Sequence, residues 1–99
     1  MSYMATEEAG TQIIECADVI DISTTTELRT QLMISLESRQ SVVLDASRVE
    51  RIDTAALQVL SAFVQDAYSQ KQSVLWKEPS KVLLRSAELL GLSQQLKLS

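Results

Sequence analysis

The sequence predicts an α/β fold, because short β-rich runs alternate with longer runs that carry apolar residues at helical spacing. Two β-rich runs precede the first helix and one precedes each later helix, which gives the order ββαβαβα. This order implies a sandwich with a mixed sheet of about four strands and parallel crossovers in its second half. The chain has 99 residues, the size of a single domain.

The first two predicted strands occupy residues 11–16 and 18–22, and their closeness in the chain predicts a hairpin. The residues before them are polar, without the basic and apolar stretches typical of a targeting signal. We therefore expect residues 1–10 to form a flexible N-terminal tail and residues 11–99 to form one domain.

The first predicted helix follows this hairpin, and either Ser23 or Thr24 can cap its start. The short apolar run at residues 41–47 is then a strand, expected in the middle of the sheet with at least one face covered. The apolar stripe of the helix consists of three leucines spaced four residues apart: Leu28, Leu32 and Leu36.

The second half of the chain contains two further helices and one strand. The strand at residues 73–79 is stopped by Pro79, the only proline of the chain. Ser80 caps the last helix and Gly91 ends it, and the residues that follow add a last turn. The helix at residues 54–70 has one apolar stripe: Ala56, Leu60, Phe63 and Ala67.

The core is predicted from the apolar strands and the helical stripes. We expect Trp76 to be partly buried by packing and not to be a ligand-stacking aromatic, since it ends a strand of alternating character. The side chains expected to be buried are Leu44, Leu60, Phe63, Leu75, Leu83 and Leu90.

The composition argues against several classes of function. The net charge of −4 repels phosphates and disfavours a nucleic-acid partner. No apolar run approaches the roughly 20 residues that span a bilayer, so we expect no membrane insertion. Cys16 is the only cysteine, which excludes an internal disulfide and fits a reducing compartment, and its apolar surroundings predict a buried structural thiol. These features together predict a cytoplasmic protein.

Catalytic chemistry is poorly represented in the sequence. The chain has no histidine, which removes the commonest general base and metal ligand, and it has no paired cysteines. Two glycines are too few for a glycine-rich phosphate loop. The carboxylates of Asp21, Asp45 and Asp53 each have an ordinary explanation as strand-end caps or turn residues. We therefore predict neither an enzyme nor a protein that holds a metal or another cofactor.

Asp53 and Thr54 open the second predicted helix, and both residue types are good helix caps. If Asp53 supplies the cap, Thr54 occupies the first helical position with its side chain free. A helix N-terminus favours a phosphate, so a phosphorylated Thr54 would be tolerated there at the cost of repulsion from Asp53. These residues are compatible both with a capping role alone and with a functional use of the Thr54 hydroxyl.

The run at residues 53–57 resembles a motif of the STAS domain, the fold of bacterial anti-sigma-factor antagonists. That family has an Asp-Ser-Ser/Thr-Gly-Leu run after a strand, at the opening of a helix. Its first hydroxyl is the phosphoacceptor, and the matching residue here is Thr54. Ala55 and Ala56 stand where the family has a second hydroxyl and a glycine, so the helix start should be stiffer and an approaching kinase would meet an extra methyl group.

Three further features resemble the same family in the same order. The DVID sequence at residues 18–21, followed by Thr24, stands in place of a Gly-Glu-Leu-Asp turn with a threonine after it; Asp21 and Thr24 match, and the Gly and Glu do not. The VVLDAS strand carries Asp45 at the family's polar position. The family's C-terminal Pro…Leu…Gly-Leu series resembles the series formed here by Pro79, Leu83, Leu89, Gly91 and Leu92.

The resemblance implies a regulatory protein–protein interaction module of the anti-sigma-factor antagonist type. Its partner would be an anti-sigma, histidine-kinase-like serine kinase that binds the ATP and phosphorylates Thr54. The residues expected at the partner surface are Asp21, Thr24, Asp53, Thr54, Ala55 and Leu57.

Two other hypotheses follow from the same resemblance. The run at residues 53–57 is also similar to that of the STAS subunit of the bacterial phospholipid ABC transporter. The chain would then be an accessory subunit that docks on an ABC ATPase through the same helix start. A STAS component of a chemosensory or two-component circuit is the third hypothesis.

Overall fold

Six strands and three helices follow one another within residues 5–8 and 11–98, which are described by the computed structural model. Two of the strands contain only two residues each. The elements are β1 (Ala5–Glu8), β2 (Thr11–Glu15), β3 (Val19–Ile20), α1 (Ile22–Ser38), β4 (Ser41–Asp45), β5 (Arg51–Ile52), α2 (Thr54–Ser69), β6 (Val74–Lys77) and α3 (Lys81–Leu89).

The main sheet has the strand order β1-β2-β4-β6. β1 pairs antiparallel with β2, whereas the β2–β4 and β4–β6 pairs are parallel. This arrangement confirms the predicted α/β fold with a mixed sheet of about four strands. The predicted central position of the strand at residues 41–47 is also confirmed, because β4 has a neighbour on each side.

The N-terminal segment differs from the prediction of a flexible tail at residues 1–10. Residues 5–8 form β1, whose four positions pair with residues 11–14 of β2. The tail prediction is therefore wrong for residues 5–8, because the antiparallel pairing satisfies their backbone groups. The predicted tail also covers residues 1–4, 9 and 10, which lie outside the described residues.

The predicted hairpin between residues 11–16 and 18–22 is wrong. β3 instead pairs parallel with β5 in a separate two-stranded sheet. The chain passes straight from one sheet to the other: the Cys16 N–H donates to Asp45 O at 2.8 Å, and the Glu50 N–H donates to Asp18 O at 2.7 Å. The short connection after β2 lacks the Gly and Asn residues that favour a tight hairpin turn.

The three predicted helices are present, with one change of cap. Asp21 caps α1, so the prediction of Ser23 or Thr24 as its cap is wrong. Ser80 caps α3 as predicted, and Gly91 follows that helix at φ 69°, a backbone conformation that favours glycine. Within the described residues no helix combines the length and the apolarity needed to cross a bilayer.

The core lies between the helices and one face of the main sheet. Leu75 and Leu90 were predicted to be buried but are 61% and 44% exposed. Leu75 points to the other face of β6, because its neighbour Val74 takes the buried position. Leu90 is the C-cap of α3 and lies beyond its last helical turn. The predictions confirmed by burial are those for Leu44, Leu60, Phe63 and Leu83.

The C-terminal residues close the core beside Trp76. Leu96 is fully buried, and the backbone N–H of Leu96 donates to Leu92 O at 2.9 Å in a final turn. The indole Nε1–H of Trp76 donates to Leu96 O at 2.7 Å. Trp76 is half-buried against the core, which confirms the predicted packing role.

Candidate functional site

The small β3–β5 sheet brings the starts of α1 and α2 together. Its register pairs Ile20 with Ile52, so Asp21 and Asp53 are the next residues of two neighbouring parallel strands. The backbone N–H of Asp53 donates to Ile20 O at 3.1 Å, which extends this pairing to the helix start. Paired strands lie about 4.8 Å apart, so the two aspartates are adjacent at one edge of the domain.

Asp21 begins α1 through a reciprocal capping arrangement with Thr24. The Ser23 N–H and the Ser23 hydroxyl donate to Asp21 Oδ1 at 2.9 and 2.6 Å, and the Asp21 N–H donates to Thr24 Oγ1 at 3.0 Å. The side-chain hydrogen bond from Ser23 is the main reason why the pKa of Asp21 is lowered. Asp21 is therefore a carboxylate at neutral pH, and it contributes negative charge at this edge.

Asp53 caps α2 without any contribution from Thr54. Its Oδ1 accepts from the Ala56 N–H at 2.9 Å, and its backbone O accepts from the Leu57 N–H at 3.1 Å. Thr54 is the first residue of α2 and its side chain is exposed. The structure therefore brings together four of the predicted site residues at paired helix starts: Asp21, Thr24, Asp53 and Thr54.

The three residues after Thr54 have different environments. Ala55 is exposed beside Thr54, whereas Ala56 is fully buried and Leu57 is 1% exposed. Since its side chain is in the core, the prediction that Leu57 contacts a partner is wrong. The Ala56 methyl group also packs inside the domain, so only the Ala55 methyl would meet an approaching protein.

Comparison with known proteins identifies the family. A family model described as "Mlab, STAS domain" matches residues 4–98. The chain belongs to the STAS domain family. No individually curated protein sequence is significantly similar to it.

Solved structures of three similar proteins share the fold of this STAS domain. The anti-sigma factor antagonist SpoIIAA, a Bacillus protein, is 10% identical, with a TM-score of 0.76 over 94% of this chain and 84% of its own. TM1081 from Thermotoga maritima is 17% identical, with a TM-score of 0.78 over 93% of this chain and 80% of its own. An anti-sigma factor antagonist from Mycobacterium paratuberculosis is 20% identical, with a TM-score of 0.70 over 93% and 79%.

Asp45, at the polar position of the STAS strand β4, holds the turn that follows the strand. Its Oδ1 accepts from the Ser47 N–H at 3.1 Å and from the Ser47 hydroxyl at 2.8 Å. Burial raises the pKa of Asp45, but the hydrogen bonds from Ser47 and the charges of Lys77 and Arg48 lower it more, so the net shift is downward. These contacts assign Asp45 to the turn.

Cys16 lies within the core of the STAS domain and is 3% exposed. Burial, followed by the nearby Asp45 carboxylate, raises the pKa of its thiol to about 12. The thiol is therefore protonated at neutral pH, and a protonated thiol is a poor nucleophile. This environment agrees with the predicted structural role.

Two features of this edge are not evident from the sequence. β5 was not predicted, because two residues are too few to show a strand period. The hydroxyl of Ser23 was considered only as the cap of α1, although it supports the Asp21 carboxylate; the Asp-x-Ser spacing is the signal for this contact. Across the described residues, no group of three or more His, Cys, Asp or Glu side chains could hold a metal ion.

Proposed function

We propose that this STAS domain is a non-enzymatic regulatory module that binds a partner protein at the paired starts of α1 and α2. Phosphorylation of Thr54 by a partner kinase would release that partner. The observation that carries the proposal is the capping of α2 by Asp53, which leaves the exposed Thr54 hydroxyl free for another use.

The charge of this edge explains how a phosphate on Thr54 would act as a switch. Phosphorylation adds about −1.5 to −2 charges beside the carboxylates of Asp21 and Asp53. The N-terminal end of α2 tolerates this charge while water surrounds it. A protein that covers the same edge removes the water, and the uncompensated negative charges then weaken the complex.

The proposed partner is an anti-sigma, histidine-kinase-like serine kinase, which would supply the ATP. Support comes from the fold shared with the anti-sigma factor antagonist SpoIIAA, whose structures represent an unphosphorylated and a phosphorylated form. Thr54 matches the phosphoacceptor position of the family motif at residues 53–57. The surface that would contact the kinase contains the side chains of Asp21, Thr24, Asp53, Thr54 and Ala55.

The exposed methyl group of Ala55 favours a second candidate, an accessory subunit that docks on an ABC transporter ATPase. In a docking subunit the partner contacts an unmodified Thr54, and the Thr54 hydroxyl does not have to enter a kinase active site. A methyl group beside Thr54 adds apolar area to such a permanent contact. Both candidates use the same edge, and they differ in whether Thr54 is ever modified.

Tagged copies of the chain, purified from the native host, would test the proposal. We expect the wild-type and Thr54→Ala proteins to retain one partner, and Thr54→Glu to retain at least about tenfold less, since a like charge in an interface costs several kcal/mol. Thr30→Glu is the matched control, because Thr30 is exposed on α1 away from the helix start. Full retention of the partner by Thr54→Glu would contradict the proposed interface.

Incubation of the purified complex with ATP then separates the two candidates. Mass spectrometry should find phosphate on Thr54 if the partner is a kinase, and release of the partner should accompany it. An unmodified Thr54 in a stable complex with an ABC ATPase would support the docking subunit and contradict the phosphorylation switch.

A further inference from the structure

An open groove of about 290 Å³ runs between α1 and α2, away from the paired helix starts. Its floor consists of the side chains of Leu32 and Phe63, which are 2% and 3% exposed. The groove begins about 7.5 Å beyond Thr54, given a rise of about 1.5 Å per residue to Val59. Its apolar lining comes from both helices: Leu32, Met33, Leu36, Val59, Ala62 and Phe63.

The walls of the groove present apolar surface to water. Met33 is 57% exposed and Ala62 is exposed opposite it, and the neighbouring Ile34 is 52% exposed. Methionine adapts its shape readily and is common at surfaces that bind apolar side chains. The volume falls at the lower limit of small-molecule pockets, about 300 Å³, and the groove is open, so it suits protruding side chains better than an enclosed metabolite.

The two walls of the groove carry opposite charges at different distances from the helix starts. Arg29 lies one turn before Met33 on α1, and Asp66 lies one turn after Ala62 on α2; both are exposed and line the groove. Because the two helices start side by side, Asp66 is about 7 to 8 Å farther along the groove than Arg29. With a usual spacing of about 9 Å between helix axes, their backbones are about 12 Å apart, close to two turns of a helix.

We propose that this groove binds an amphipathic helix of another protein. Apolar side chains on one face of that helix would enter the groove between Met33 and Ala62. An acidic side chain would lie over Arg29 and a basic one, about two turns away, over Asp66. The apolar face provides the affinity, and the two charges fix the direction in which the helix lies.

The concave shape of the groove disfavours a second copy of the chain as its occupant. Two copies placed face to face would also pair Arg29 with Asp66, but their two grooves would enclose a void lined by Leu36 and Val59. Voids of that kind lose the packing contacts that stabilise an interface. A convex helix fills the same space.

Two synthetic peptides would test the proposal by NMR titration of the full chain. Both form bridged helices with the same leucine face; one carries Glu and Lys two turns apart to match Arg29 and Asp66, and the other carries Lys at both positions. We expect the matched peptide to shift the methyl signals of Leu36 and Val59. The two-lysine peptide should bind at least about threefold more weakly, because one of its lysines lies over Arg29 in either direction of the helix.

Protein variants make the test specific. Ala62→Glu should abolish binding of the matched peptide, and its exposed position lets the domain keep its fold, as checked by circular dichroism. Arg29→Glu should reverse the preference between the peptides, because the groove walls then carry two acidic side chains, at positions 29 and 66. Thr54→Glu, which tests the proposed function, should leave peptide affinity unchanged, so the two proposals can fail separately.

Three results would overturn the proposal: no shift of the groove methyl signals by either peptide, equal binding of both peptides, or a dimer in sedimentation experiments that Ala62→Glu dissociates. The last result would assign the groove to contacts between copies of this chain.

Discussion

Asp53 is joined to the strand that precedes α1 by a hydrogen bond of 3.1 Å from its N–H to Ile20 O. Ile20 is followed directly by Asp21, the cap of α1, and Asp53 is the cap of α2. One backbone contact therefore fixes two helix starts and two carboxylates at the same edge. The exposed Thr54 stands on this rigid support, which suits a residue that another protein must recognise in a defined position.

Substitution of the two residues that open α2 should have very different effects on stability. Asp53→Ala removes the acceptor of the Ala56 N–H and should lower the free energy of unfolding by about 1 kcal/mol, within the range for a lost helix cap. Thr54→Ala should change it by less than about 0.5 kcal/mol, because the Thr54 side chain is exposed. Urea denaturation measures both values. An equal loss in both variants would show that Thr54 contributes to the cap.

The stability contribution of Asp45 should depend on pH. Its folded-state pKa is lowered, so the ionised form stabilises the fold above the unfolded-state pKa of about 3.9, and this contribution is lost as the pH falls through the folded-state value. Asp45→Asn removes the titrating group. We expect the stability difference between wild type and Asp45→Asn to be constant from neutral pH to about pH 5 and to shrink below about pH 4.

Urea denaturation of both proteins at neutral pH and at about pH 3 would measure this change. A difference that stays constant or grows on acidification would contradict the assigned direction of the Asp45 pKa.

The sequence predicted the elements whose signals are local. The leucine spacing in α1 and the Ser80 cap of α3 are encoded within a few residues, and both agree with the structure. The β3–β5 pairing was missed because it joins residues about 30 apart in the chain through strands too short to show a period. Adjacency of Asp21 and Thr54 was therefore expected only from the family resemblance, since no local pattern encodes it.

Burial was harder to predict than element type. The apolar run in β6 does not show which face meets the core, and Leu75 is exposed where Val74 is buried. Leu57 lies in the family motif, but the helical period from Leu57 to Leu60 and Val64 places it on the buried side of α2. A motif residue can thus serve the fold while its neighbour Thr54 faces the surface.

The assignment of Phe63 to the core and of Leu75 to the exposed face of β6 can be tested with one variant of each. Phe63→Ala should lower the free energy of unfolding by about 3–5 kcal/mol, because the Phe63 side chain is buried in the core. Leu75→Ala is the control; since Leu75 is 61% exposed, its effect should be below about 1 kcal/mol. Thermal unfolding measures both. A larger loss for Leu75→Ala than for Phe63→Ala would reverse the assignment.

A buried glutamine network holds the C-terminal end of α1. Gln72 is 4% exposed, and its Nε2 donates to Ser35 O at 2.8 Å and to Gln40 O at 2.7 Å. Gln70 Nε2 donates to Gln72 Oε1 at 2.7 Å and to Leu36 O at 2.8 Å. Carbonyls in the last turn of a helix lack donors within the helix. Here the side-chain amides of these two glutamines, which lie in the connection between α2 and β6, donate to them.

Replacement of Gln72 by leucine should therefore be costly although the two side chains have similar size. Gln72→Leu removes the donor of a buried hydrogen bond to Ser35 O and of a part-buried one to Gln40 O, so we expect a loss of about 1–3 kcal/mol. Gln65→Leu is the matched control, because the exposed Gln65 also donates to a backbone carbonyl, Gln95 O at 2.8 Å, but water can replace it. Its cost should stay below about 0.5 kcal/mol. Equal losses in urea denaturation would show that burial of the network adds nothing to the stability of α1.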